Sequence, residues 1–285
     1  MAKKAFLVGI NDYAPCGPGG PDLRGCVNDV RDMARTLSVL GIVPAVPGSM
    51  QILTDCRATR ANILAGIGWL VKGAKKGDLL IFYYSGHGSQ VADTSGDEID
   101  GKDETICPHD FATAGMIIDD DLRAIFKGIP AGVNLEVILD SCHSGTGTRE
   151  MAALAALPEE QQVTIRYVEP PLDYGFFLDE DPAIPLRGFM RAKPGEKQAV
   201  LVPGLNHVLW AACRDNQTAG EGSVGGAIRG YFTYCFCKVL RRAGVAVTRR
   251  RLDALVAGCL KQEFGAAQVP QLEGTAASLG EKVFT

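Results

Sequence analysis

Two short stretches of the chain carry residue types that do nucleophilic chemistry. YYSGHGSQ (83–90) sets Ser85 and His87 two residues apart among glycines, and VILDSCHSG (137–145) sets Asp140 and Cys142 two apart, with Ser141 and His143 interleaved. Each pair closes a run rich in β-branched or aromatic residues, so each reads as the C-terminal end of a buried strand. Side chains at i and i+2 of a strand share a face. Neighbouring parallel strands would therefore gather Ser85, His87, Asp140 and Cys142 at one rim and turn Ser141 and His143 away. On that parity His87, not the adjacent His143, is the base for Cys142. A thiol of ordinary pKa is only slightly ionised at neutral pH; a nearby imidazole raises the thiolate fraction or takes the proton during attack. The backbone N–H groups of Gly88 and Cys142 could hold the tetrahedral oxyanion, a contribution of about 3–4 kcal/mol where single donors have been removed. The reaction class is acyl transfer through a thioester. A lone buried cysteine is ordinarily packing; the second matched strand end is what tips the reading towards chemistry.

The elements that position these ends alternate along the chain. AFLVGI (5–10), MQILTD (50–55), DLLIFYYSG (78–86), NLEVILDS (134–141), NHVLWAAC (206–213) and, near the end, QVPQLEG read as strands. Between them, helical spacing runs through VNDVRDMARTLSVLG, through a helix capped by Thr59, and through DDLRAIFKGI, GAIRGYFTYCFCKVLRRAG and TRRRLDALVAGCLKQEFG. The class is α/β, with a mostly parallel sheet covered by helices on both faces. In such sheets the working crevice lies outside the carboxyl ends of the strands. Three regions follow: 1–150 with both reactive ends, a proline-rich and charged linker over 151–203 expected on the surface, and 204–285, which has too few strands for its own sheet and completes the first.

Composition narrows the alternatives. Of 285 residues, 46% are hydrophobic and 22% charged, and the net charge of −4 gives no reason to expect nucleic acid or an anionic membrane as partner. The apolar run at the start is too short for a signal-peptide core, and no stretch is long enough to span a bilayer. Nine cysteines without a CxxC pair argue against a disulfide scaffold or a zinc knuckle and suit a reducing cytoplasm. A metal-binding or redox protein fails on spacing, since the four histidines do not cluster around the cysteines.

YYSGHGSQ and LDSCHSG resemble the histidine and cysteine boxes of the caspase-like cysteine peptidases, in particular their metacaspase (orthocaspase) branch. FLVGINDY, LRGCVNDV, GDEIDGKDETICPHDF, IIDDDL and WAACRDNQTAGE agree in the family's order. The resemblance implies a caspase-like fold with a six-stranded sheet, His87 and Cys142 as the dyad, and cleavage after Arg or Lys. It carries the basic-residue pocket onto Cys26, Asp29, Ser85 and Asp140. Strand parity independently sets the Asp140 carboxylate beside the substrate position, where it favours a cation and repels an acid. Asp29 also reads simply as a first-turn helix acid, and Asp215 either adds to the pocket or is a loop residue.

The acidic stretch 93–110 and Asp119, Asp120 and Asp121 read either as a solvated loop with helix capping or as a calcium site. The resemblance implies Asp103, Asp119 and Asp120 as ligands, with Ca²⁺ an activator and no cofactor needed for the chemistry. Where some relatives place a fourth acidic ligand this chain has Thr148 and Arg149, with Glu150 one place on. Arg149, Arg166, Arg187, Arg191, Lys193 and Lys197 make the linker a candidate for self-processing of a latent enzyme. Expected partners are protein or peptide substrates with basic residues and a regulatory activating protein, and the resemblance implies a monomer. Two rivals keep the fold: a binding scaffold without turnover, and a peptidase specific for aspartate or asparagine.

Overall fold

The computed structural model describes residues 1–14, 21–92, 102–142, 163–168, 206–214, 217–265 and 268–285. Its centre is a six-stranded sheet built from β1 (Lys3–Gly9), β2 (Met50–Thr54), β3 (Leu79–Ser85), β7 (Asn134–Asp140), β9 (Asn206–Ala211) and β12 (Gln271–Glu273), in the order β12-β9-β7-β3-β1-β2. All neighbours run parallel except β12, which pairs antiparallel with β9. The sheet therefore joins β7 to β9, and β9 to β12, across the intervening segment.

Alternation along the strands divides the core. Phe6, Val8, Phe82 and Val137 face a layer with Ile63 and Ile67 of α2 (Arg60–Val71), Phe111 of the short α3 (Phe111–Ala114), and Leu122 and Phe126 of α4 (Asp119–Phe126). Leu7, Ile81, Tyr83 and Ile138 face the other layer, with Val30 and Met33 of α1 (Cys26–Val39), Phe232 and Phe236 of α5 (Tyr231–Ala243) and Val256 of α6 (Arg249–Phe264). Both faces of these strands are dry, which is why they read as nearly continuous apolar runs. Thr59 caps α2 by accepting from the Asn62 N–H. A buried acid of β7, Glu136, accepts from Arg249 Nε and Trp210 Nε1 at 2.7 Å each and from the Phe284 N–H at 3.2 Å, tying α6 and the chain end to β7.

Four differences from the sequence expectation matter. Two small sheets flank the main one: β4 (Gly88–Ala92), β5 (Lys102–Ile106) and β6 (Ile117–Ile118), and β8 (Thr164–Ile165), β10 (Gly220–Val224) and β11 (Ala227–Gly230). The segment read as one helix from Gly226 begins as strand β11, because Val224 and Ala227 close a hairpin around Gly225 and Gly226, whose φ values of 60° and 81° suit a tight two-residue turn. Third, linker residues 163–168 are not on the surface: Ile165 and Arg166 are buried at the rim of the main sheet. Cys56 is disulfide-bonded, which the scattered cysteines did not suggest. Among the described residues no helix is long and apolar enough to cross a membrane.

Candidate active site

β3 and β7 pair with Ser85 opposite Asp140, so the two strand ends come level at the rim. Ser85, Asp140 and, from the start of α1, Cys26 and Asp29 line one buried hollow. The guanidinium of Arg166 fills it, with no exposed side-chain surface. Nη1 donates to Ser85 Oγ at 2.8 Å and to the Asp140 carbonyl at 3.2 Å, and lies 3.1 Å from Asp140 Oδ2. Nη2 donates to Asp29 Oδ2 at 2.6 Å and to Glu221 Oε2 at 3.0 Å. The carboxylates are themselves fixed: Asp29 accepts from the Gly230 N–H, Asp140 from the N–H and hydroxyl of Thr233 in the first turn of α5, and Glu221 from the N–H groups of Arg24 and Gly25. Three acids around one guanidinium leave an excess of negative charge. Burial pushes Asp29 up to about 6, against the pull of Arg166 and with help from the Asp140 charge. Cys26 rests with its Sγ 3.8 Å from Glu221 Oε2, its thiol pushed up by burial.

The backbone of the same segment lies across the strand ends. Thr164 and Ile165 pair antiparallel with Glu221 and Gly220, and the Arg166 N–H donates to the Ala219 carbonyl at 3.0 Å. The Arg166 carbonyl oxygen accepts from the Gly88 N–H at 3.0 Å and from the Cys142 N–H at 3.2 Å. These are the two donors named from sequence for an oxyanion, and here they hold the carbonyl of the arginine itself.

His87 lies just past β3, buried, with its ring tilted against Tyr13 at a centroid distance of 5.0 Å. Nε2 is 2.6 Å from the Pro21 carbonyl, a group that can only accept, so the ring proton sits on Nε2 and the Nδ1 lone pair is left free. Nδ1 is buried without a hydrogen-bond partner. Burial lowers the imidazole pKa to about 4, so the ring is neutral at pH 7. The Cys142 thiol does not bond to it: Sγ donates to the Gln217 carbonyl at 3.3 Å, an acceptor shared with the Cys213 thiol at the same distance.

The expected calcium ligands sit apart from this hollow, on β5 and α4. Asp103 and Asp119 are buried. Arg123 stands where a cation would: its Nη2 is 3.3 Å from Asp119 Oδ2 and its Nη1 3.3 Å from Asp120 Oδ1. Asp119 Oδ1 is buried without a partner, and burial pushes this carboxyl up to about 6. Among the described residues Asp103, Asp119 and Asp120 do not bring their oxygens within 4.8 Å of one another; the group that does converge so closely is Asp12, Cys56 and His109, and Cys56 is committed to a disulfide. The donor set as arranged fits an arginine better than a calcium ion, which would have to displace it. Asp215, His143, Thr148, Glu150 and every basic linker residue named above except Arg166 lie outside the described residues.

Sequence reasoning missed two participants. Glu221 closes the stretch WAACRDNQTAGE but was given no role; a buried acid within a glycine-flanked strand was the available signal. Pro21, which orients His87 through its carbonyl, leaves no side-chain signature at all.

The profile of the family described as "Metacaspase, peptidase C14 domain" matches residues 3–149. Metacaspase-1 of Mycosarcoma maydis is 32% identical over 296 residues, spanning 96% of this chain and 70% of that protein. Metacaspase-1 of Pyricularia oryzae is 34% identical across 95% of this chain and 71% of its own length. Metacaspase-1 of Coccidioides immitis is 34% identical across 84% of this chain, which spans 55% of that protein. A crystal structure of a protein from Geobacter sulfurreducens superposes with a TM-score of 0.65 at 26% identity, covering 100% of this chain and 99% of the other.

Proposed function

Because the chain belongs to the metacaspase family of caspase-like cysteine peptidases, we propose that it is an endopeptidase that cuts after arginine or lysine, and that the first bond it meets is its own Arg166–Tyr167. One observation carries this reading: Arg166 has its guanidinium among Asp29, Asp140 and Glu221 while its carbonyl oxygen rests on the Gly88 and Cys142 N–H groups. A buried arginine and a carbonyl on two convergent donors are the two ends that an arginine-directed acyl transfer has to hold.

The steps follow from those positions. Cys142 Sγ, once turned from the Gln217 carbonyl, attacks the Arg166 carbonyl carbon. His87 takes the thiol proton on Nδ1, and its neutral resting state makes it a base during attack rather than half of a standing ion pair. Negative charge developing on the carbonyl oxygen falls on the two N–H groups already bonded to it, with no reorganisation needed. The proton then passes from His87 to the departing Tyr167 nitrogen, and water hydrolyses the thioester on the opposite course. The Nη1–Nη2 fork engages four side chains at once, a geometry that a single ammonium cannot copy, so arginine is favoured over lysine. Calcium has no part in these steps.

The test compares purified wild-type and Cys142→Ala chains. Intact-mass analysis of the wild type should yield one piece ending at Arg166 and one beginning at Tyr167, and the variant should remain whole. Fluorogenic peptides ending in Arg should be hydrolysed faster than Lys peptides, and Asp or Asn peptides not at all. Equal cutting by Cys142→Ala, or turnover after Asp, would overturn the proposal.

A further inference from the structure

The docked segment does not stop at the bond to be cut. Beyond Arg166 the chain stays extended: Tyr167 bridges Gly88 in parallel, and the Val168 N–H donates to the Gly88 carbonyl at 3.1 Å. Gly88 thus uses both of its backbone groups on this strand, its N–H on the carbonyl before the cut and its C=O on the second residue after it. The two side chains go opposite ways. Tyr167 packs against the apolar layer that contains Cys142 and Ala219, and Val168 against the layer that contains Tyr13 and Val91. Neither contact is needed to select an arginine or to move a proton.

We propose that this is a second recognition site, one that reads the two residues following the cut: Gly88 C=O takes the backbone N–H of the second residue, and the two walls take a bulky apolar side chain each. The substrate class is then an extended peptide of the form Arg followed by two large apolar or aromatic residues. Acidic, glycine or proline residues there are selected against, the first for want of a counter-charge, glycine for want of contact, and proline at the second place for want of an N–H. The proposal rests on the reading of the site as an arginine-directed peptidase, and its test separates the two.

Binding is measured on the full chain carrying Cys142→Ala and Arg166→Ala, which can neither cut nor refill its own pocket. The peptide VTIRYV is compared with the same peptide N-methylated at its last amide, with VTIRDD, and with VTIAYV. One hydrogen bond and two apolar contacts predict that N-methylation weakens binding about fivefold and that VTIRDD binds at least tenfold more weakly. Equal binding of VTIRYV, its N-methyl form and VTIRDD would overturn the proposal and leave the arginine pocket standing. Equal binding of VTIRYV and VTIAYV would instead sink the arginine reading alone. Should the double variant not fold, the otherwise unaltered chain gives an independent readout: Val168→Asp should slow the cut after Arg166 about tenfold, and an unchanged rate would refute the second site.

Discussion

Asp29 couples acid to the pocket. Its carboxyl, pushed up to about 6 by burial, loses its charge as pH falls through that value, and with it the partner nearest to Arg166 Nη2. His87 moves the other way: lowered to about 4, it remains a neutral base over the same interval. The acid limb of cutting after arginine is therefore expected near pH 6, set by the pocket and not by the base. Initial rates on an Arg peptide against pH should show it, and Asp29→Asn should flatten that limb while lowering the rate about tenfold or more at pH 7.5; a limb near 4 in the wild type would contradict the assignment. At this scale the sequence was partly legible. Ser85 and Asp140 could be brought level because both close buried strands that pair in parallel. Glu221 and Pro21 could not, because they reach the site from a hairpin and a loop whose paths no local spacing encodes.

The junction of β11 and α5 holds the pocket from the side opposite β3 and β7. Gly230, its last strand residue, donates its N–H to Asp29, and three residues on Thr233 donates to Asp140 from the helix start. A methyl group on Gly230 would fall well inside contact distance of Asp140 Oδ2 and Arg166 Nη1. Gly230→Ala is expected to cut kcat/KM on Arg peptides at least tenfold, mostly through KM, with the protein still folded by circular dichroism. On the other flank Arg123 neutralises Asp119 and Asp120 from within α4. Replacing it by glutamine removes the resident charge, so terbium luminescence should report at least tenfold tighter binding of a calcium-like ion to Arg123→Gln than to the wild type. The main-sheet strands were visible as dry apolar runs, whereas the β10–β11 hairpin, with GEGSV on one arm, has almost no apolar signal; the paired glycines at 225 and 226 were its one mark.

Across the whole molecule, cutting after Arg166 would divide the chain between β8 and β9. β9 pairs with β7 along six residues from Asn134–Asn206 to Leu139–Ala211, and α5 packs under both pieces of the sheet. The pieces are expected to co-elute in native size-exclusion chromatography and to part only in denaturant. The free edge at β12 is three residues long, a poor template for pairing with a second copy, so sedimentation should show one chain. How the linker would cross the rim was not legible: its prolines and charges spoke of a surface path, and only the acid pocket explains why Arg166 goes inside. That arrangement has a kinetic consequence. Severing the bond leaves Arg166 at the end of the same piece as Cys142, 24 residues further along, so the product is also a tethered competitor. A short tether gives an effective concentration of about a millimolar, and outside peptides at micromolar levels would face it at every encounter. Nicking and activation should then be separate events in time: the band pattern changes first, at a rate independent of dilution, and turnover of added peptide follows only as the severed end departs.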